Sequence, residues 1–155
     1  MPIIRHTNSA DATWTRRAEH PGLEFEKQEL VGKSDAQQCT VSLMKIPPHQ
    51  AAFPYHYHIL NEENFFILNG KGLLRTPDGE QEVLPGDYIF FPRGEDGAHK
   101  LTNISDTEPL IYIDFDTSNI PEICFYPDSE KIGVWCTDIR QLYFTRDQVG
   151  YYDGE

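Results

Sequence analysis

His56 and His58 are separated by a single residue, and Glu63 follows after a four-residue gap. Alternate residues of a β-strand project from the same face, so a His-x-His pair in extended chain sets two imidazoles side by side. In the run Glu63-Asn64-Phe65-Phe66-Ile67-Leu68-Asn69-Gly70, Glu63 shares a face with Phe65 and Ile67, and Glu62 points the other way. A carboxylate heading an apolar face is costly to bury unless it is paired or bound to a cation. Glu63 is therefore the better companion for the two imidazoles. Neutral imidazole is a good ligand for divalent transition metals. The spacing thus points to β-strands folded around a metal site.

A fourth donor lies one hairpin further on. Gly86-Asp87-Tyr88-Ile89-Phe90-Phe91-Pro92 reads as a strand stopped by proline, Arg93-Gly94-Glu95-Asp96-Gly97 as a loop, and Ala98-His99-Lys100-Leu101-Thr102-Asn103 as the next strand. Its odd positions put His99, Leu101 and Asn103 on one face, leaving Lys100 outside.

These two segments resemble the paired motifs of the cupin superfamily. The first runs from Gln50 through five residues to His56-x-His58, four more to Glu63 and six more to Gly70. The second runs from Gly86 through five residues to Pro92-x-Gly94, four more to His99 and three more to Asn103. Gln50 replaces the family's opening glycine, and the loop before His99 is two residues longer than the usual pattern; neither departure touches a donor position. The flanks, including Tyr126-Pro127-Asp128-Ser129 and the ending Tyr151-Tyr152-Asp153-Gly154-Glu155, also resemble a bacterial group of small cupins. Some of that group carry a sugar-phosphate isomerase label. The resemblance implies an all-β double-stranded β-helix, a jelly-roll barrel in a single domain. It also implies one divalent transition metal (Fe, Mn, Ni, Co, Cu or Zn) held by His56, His58, Glu63 and His99, a small-molecule ligand, and a homodimer to which an N-terminal arm can be exchanged.

The rest of the chain agrees with many short strands. Apolar and charged residues alternate over 23–30, 39–46 is extended up to Pro47-Pro48, and Pro77-Asp78-Gly79 is a hairpin signal between 72–76 and 80–84. The longest strand pattern covers 108–116, with shorter ones at 122–126 and 131–135. Strands spaced in this way, with turns between them, favour a sandwich or barrel. The expected organisation is an irregular arm over 1–22 with a short helical piece around 12–18, a barrel over 23–136 with its metal motifs at 50–70 and 86–103, and a packing tail over 137–155. On β-strand 108–116, Ile111, Ile113 and Phe115 make the better core set, which turns Tyr112 and Asp114 outward. By the same alternation Cys39 is expected as a core thiol beside Val41 and Leu43.

With 25 acidic against 13 basic residues the formal net charge is −12. Such a chain is repelled by phosphate backbones and anionic membranes, so neither nucleic acid nor a membrane is an expected partner. The chain shows no apolar signal core and no stretch near membrane-spanning length, and three cysteines without CxxC spacing make a poor disulfide framework. A cytoplasmic protein is expected.

The residues do not choose the reaction. Oxygenase-like chemistry on a small organic molecule, with Fe(II), leads narrowly, helped by an apolar lining expected from Phe65, Ile67, Ile89, Phe91 and Leu101. A metal-dependent isomerase or lyase of a sugar or small acid is the alternative, as is a non-enzymatic barrel that binds a metal or small ligand. No catalytic acid or base stands out. Glu95 and Asp96 read as a solvated loop, and Asn103 as a turn or hydrogen-bonding residue. Arg75, Arg93 and Lys100 are too scattered to cradle a phosphate.

Overall fold

A computed structural model describes residue 4 and residues 6–155. Among the described residues there are thirteen strands: β1 (Thr15–His20), β2 (Leu23–Val31), β3 (Cys39–Ile46), β4 (Tyr57–His58), β5 (Glu63–Asn69), β6 (Gly72–Thr76), β7 (Gly79–Val83), β8 (Tyr88–Phe91), β9 (Lys100–Asn103), β10 (Leu110–Thr117), β11 (Glu122–Tyr126), β12 (Lys131–Trp135) and β13 (Arg140–Phe144). Two short 3₁₀ turns, Glu95–Gly97 and Pro127–Ser129, interrupt them. The strands form a six-stranded sheet in the order β1-β2-β3-β10-β5-β8, a four-stranded sheet β13-β12-β11-β4 and a three-stranded sheet β7-β6-β9. All the pairings between named strands are antiparallel. The late strand β10 inserts between β3 and β5, the long-range crossing that turns a run of hairpins into an all-β jelly-roll barrel.

Alternation explains which side chains fill it. Met44 and Ile46 of β3, Phe65 and Ile67 of β5, and Leu110 and Tyr112 of β10 are buried against Leu74, Val83 and Leu101 from the three-stranded sheet. This apolar cluster occupies one end of the barrel. At the other end, between the six-stranded and four-stranded sheets, the same strands carry polar residues and enclose a cavity of about 330 Å³. Core and cavity are therefore successive stretches of the same strand faces.

Three expectations are corrected here. Residues 15–20 form strand β1 rather than part of a helical piece, because Thr15, Arg16 and Arg17 pair with Lys27, Glu26 and Phe25 of β2. On β10 the inward face is Leu110, Tyr112 and Asp114, not Ile111, Ile113 and Phe115; Tyr112 and Asp114 are 1% and 5% exposed, and Phe115 is open to solvent. On β3 the buried face is Ser42, Met44 and Ile46, which leaves Cys39, Val41 and Leu43 half-buried on the outside. Strand β13, within 137–155, adds to the four-stranded sheet through β12.

Candidate metal centre

His56 and His58 sit at the edge of the four-stranded sheet, where β4 pairs with β11 and His56 bridges His99 through reciprocal backbone hydrogen bonds of 3.1 and 2.9 Å. Glu63 opens β5 on the facing sheet. The side chains of His56, His58 and Glu63 line the cavity, and His99 lies against Glu63 just outside its wall. Glu63 Oε2 lies 3.0 Å from His99 Nε2 and 3.8 Å from His56 Nε2, and Glu63 Oε1 lies 3.4 Å from His58 Nε2.

Each imidazole is aimed by a second partner. His56 Nδ1 donates to the Pro54 carbonyl at 2.8 Å, and His99 Nδ1 to the Gly97 carbonyl at 2.9 Å. With the proton on Nδ1, both Nε2 atoms present lone pairs to the centre. Tyr126 stacks on His56 with centroids 5.9 Å apart, and Phe91 stacks on His99 at 3.6 Å. The Gly97 carbonyl is in place because its residue has no side chain, since a Cβ there would overlap the Pro92 carbonyl oxygen.

Buried His99 Nε2 and Glu63 Oε2 have no hydrogen-bond partner. A ring nitrogen and a carboxylate oxygen facing each other at 3.0 Å call for a proton or a metal cation between them. Burial lowers His56 to about 4, so it is a neutral donor at physiological pH. Burial would raise Glu63, but His99, His58 and His56 outweigh it and hold the carboxylate well below its usual range. Imidazoles beside a carboxylate fit a divalent transition metal, and His56, His58 and Glu63 offer donor atoms within 4.8 Å of one another, a group that His99 adjoins through Glu63 without joining.

A second layer was not read from the sequence. Glu122, on β11, accepts backbone N–H groups of Ile59, Leu60, Asn61 and Ile123 at 2.8–3.1 Å, together with the Asn61 side-chain amide. Its Oε2 is 3.6 Å from His58 Nδ1, and Cys124 Sγ is 3.0 Å from the same nitrogen. Burial would lower His58, but hydrogen bonds to Cys124, Glu122 and Glu63 outweigh it and push the ring far up. Asn61 in turn holds Asn119 and Thr117. The only sequence sign of this layer was Glu122 heading a strand.

On the opposite wall, Asp114 and Asp116 follow Tyr112 along β10, and Asp116 pairs across the sheet with Glu63. Oxygens of Glu63, Asp114 and Asp116 lie within 4.8 Å of one another, and one oxygen of each aspartate has no hydrogen-bond partner. Burial first, then the neighbouring carboxylates, pushes Asp116 up, and burial likewise raises Asp114, so the pair retains a proton at neutral pH. Lys27, Glu29 and Lys33 reach the cavity from the six-stranded side, and Phe53, Tyr126 and Trp135 give it aromatic surfaces. None of the residues expected as an apolar lining faces this cavity. Phe65, Ile67, Phe91 and Leu101 belong to the core beneath, with Ile89 packed against it, and the wall interleaves charged and polar side chains with Phe53, Ile120, Tyr126 and Trp135. Neither Arg75, held by Asp128 at 2.6 and 2.9 Å, nor Arg93 nor Lys100 lines it. Glu95 and Asp96 are exposed, and Asn103 ties the Ile46 and Glu108 carbonyls together.

Comparison with known proteins places this geometry. A sugar phosphate isomerase from Silicibacter pomeroyi, of the cupin superfamily, superposes with a TM-score of 0.82 at 19% identity, covering 96% of this chain and 98% of that one. A protein from Acidithiobacillus ferrooxidans described by the same activity gives 0.83 at 21% identity, over 96% and 95% of the two chains. At these identities the likeness is one of fold. An uncharacterised protein of Methanocaldococcus jannaschii is 37% identical over 51 residues, 33% of this chain and 39% of that one. The matches to such curated relatives span less than half of their length. Residues 42–116 match the cupin domain family. That stretch begins in β3 and ends in β10 and encloses both motifs with His56, His58, Glu63 and His99, so this part of the chain is a cupin domain.

Proposed function

We propose that this protein is a metal-dependent enzyme of the cytoplasm that moves a proton on a small polyhydroxylated carbonyl compound, as an isomerase or lyase. The observation that carries the reading is the Asp114–Asp116 pair beside Glu63, with Asp114 buried, Asp116 half-buried and the Oδ1 atom of each left without a hydrogen-bond partner among the described residues.

A divalent ion held by His56, His58, Glu63 and His99 would act there as a Lewis acid on a substrate oxygen. The protein's own residues supply the remainder. A carboxyl group that keeps a proton at neutral pH, beside one that can accept it, is suited to taking a proton from carbon and returning it. Asp114 Oδ1, buried and free of hydrogen bonds, is the atom placed to do so. Thr40, Ser42 and Lys27 offer hydrogen bonds to hydroxyl groups, and Trp135 and Tyr126 offer flat faces to the apolar side of a sugar-like ring. The cavity volume, about 330 Å³, suits a small ligand. The two structural neighbours described as sugar phosphate isomerases are of the same reaction class. The acid–base pair beside the candidate metal site favours proton transfer over oxygenase chemistry.

The test is hydrogen exchange. Metal-replete protein in deuterated water is incubated with short aldoses and ketoses, free and phosphorylated, and proton NMR follows exchange at carbon next to the carbonyl. The proposal expects exchange that disappears in Asp114→Asn while the metal is retained. Oxygen uptake without exchange would replace it with the oxygenase reading, and neither signal would leave a binding barrel.

A further inference from the structure

Glu63, Asp114 and Asp116 bring three carboxylates to one spot on the inner face of the six-stranded sheet. Strand register puts them there: Asp116 stands opposite Glu63 of β5, and Asp114 precedes it by two residues on β10. One oxygen from each lies within 4.8 Å of the other two. Across the other edge of β10, Asp114 and Asp116 stand opposite Ser42 and Thr40 of β3, which line the same cavity. The donors gathered here are all oxygens, in contrast to the nitrogen-rich group of His56, His58 and Glu63 beside them. Glu63 is common to both groups, and a carboxylate has lone pairs enough to serve two neighbours.

Acidic clusters on a surface are solvated by water, but this one is enclosed. Asp114 is 5% exposed, and its Oδ1 has no hydrogen-bond partner among the described residues. Oδ1 of Asp116 and Oε2 of Glu63 are likewise buried atoms without a partner. A buried carboxylate oxygen with no donor is costly unless a cation meets it. The protein supplies few cations of its own: five carboxylates line the cavity against two lysines, and one of those, Lys27, has its ammonium 3.8 Å from Glu29. Such a cleft concentrates cations. Oxygen donors suit hard ions, as imidazoles suit transition metals. An ion held at about 2.3–2.6 Å from each ligand, the calcium range, spans oxygens up to about 5 Å apart, so the spacing observed needs no rearrangement.

We infer that Glu63, Asp114 and Asp116 form a second metal site, for a hard, oxygen-seeking divalent cation of calcium size, and that an ion seated there holds the proton-transfer pair out of action. The site stands on geometry alone, whereas its effect on turnover rests on Asp114 acting as the acid–base group. An ion at this position occupies Asp114 Oδ1, the atom that would take a proton from carbon. Calcium is then an inhibitor of a reaction that a transition metal at His56 and His58 supports.

The experiment is equilibrium dialysis of calcium against full-length protein loaded with one equivalent of zinc, counting both metals by atomic emission and checking every variant by far-UV circular dichroism. Wild type is expected to take up one calcium per chain, with a Kd of ~10⁻⁵–10⁻³ M, and to keep its zinc. Asp116→Asn is expected to weaken calcium about ten-fold or more while retaining zinc. His58→Ala is expected to do the reverse, losing zinc and keeping calcium. Asp78→Asn, at an exposed carboxylate outside the cavity, is expected to match wild type. Should Asp116→Asn fail to fold, Asp114→Asn takes its place with the same expectation. In the deuterium-exchange assay, wild-type turnover is expected to fall about ten-fold or more as calcium saturates the site. Wild type that binds no calcium at millimolar ion overturns the inference. So does calcium binding that Asp116→Asn and Asp114→Asn leave unchanged, which marks adventitious surface ions only. Calcium bound in the cavity with undiminished exchange overturns the inhibition. An absence of exchange even without calcium sinks the proton-transfer reading and the inhibition with it, while the dialysis still decides the site.

Discussion

Glu122 and His58 face one another across the β4–β11 pairing, carboxylate oxygen to ring nitrogen at 3.6 Å, while the same carboxylate gathers the backbone N–H groups of residues 59–61. One side chain thereby orients a histidine of the candidate metal centre and fixes the turn that separates it from Glu63. Glu122→Gln should weaken metal binding roughly 10- to 100-fold, the usual cost of losing a partner behind a liganding histidine. Glu122→Ala should in addition lower unfolding stability by roughly 2–5 kcal/mol, because several buried N–H groups lose their acceptor. Metal titrations and urea melts separate the two effects.

His58→Ala and Glu63→Ala should each abolish metal retention while leaving the barrel folded. Neither residue belongs to the apolar cluster at the other end. Metal analysis after dialysis, paired with circular dichroism, decides this; near-stoichiometric metal in both variants would remove the two residues from the site.

Metal binding should release about one proton at neutral pH. His58 is raised by Cys124, Glu122 and Glu63 despite its burial, so it is protonated in the ion-free protein, and a bound cation requires it neutral. Affinity therefore rises with pH. His56, lowered to about 4 by burial, releases none. Calorimetry in buffers of different ionisation enthalpy counts the protons, and Glu122→Gln should reduce the count.

Asp114→Asn should cut turnover by about 10²–10⁴ without loss of metal, the range for a removed general acid or base. Its effect on stability has the opposite sign. Asp114 is raised by burial to about 6 from 3.8, so the folded form keeps a proton that the unfolded chain gives up. That stabilisation is complete below the unfolded value and is lost as pH rises through the folded one. The asparagine variant should be more stable than wild type by roughly 1–3 kcal/mol near pH 8, with the gap closing toward pH 4. Thermal melts across that range measure it.

Gly97→Ala should cost roughly 1–3 kcal/mol through the clash with the Pro92 carbonyl. It should also loosen the metal, since the Gly97 carbonyl holds His99 in its orientation. Melting and metal retention should fall together.

Much of the barrel was legible because strand alternation is a local signal. The bounds of β3, β11 and β12 read from the sequence coincide with those observed, and the inward placement of Phe65, Ile67, Leu101 and Asn103 followed from counting by twos. The spacing that brought His56, His58, Glu63 and His99 into consideration needed only the paired motifs. Alternation failed on β10, where both faces are apolar and periodicity cannot say which is inside; the register against Glu63 and Ser42 settles that, and it is a long-range fact. The same blindness hid Asp114 and Asp116 as cavity residues. Lys27 was missed although it continues the Leu23 and Phe25 face of β2. Glu122 could not be found by pattern at all, since its partners are the backbone of a turn some sixty residues earlier.

Because each long strand devotes one stretch to packing and the next to the cavity, chemistry and stability are written in separate segments of the same elements. On β10 the border falls between Tyr112 and Asp114, a step of two residues. Substitutions beyond that border reshape the cavity while the apolar end keeps the chain folded. A pocket built this way can be refitted to new ligands by point changes, on a chassis that does not have to be rebuilt each time.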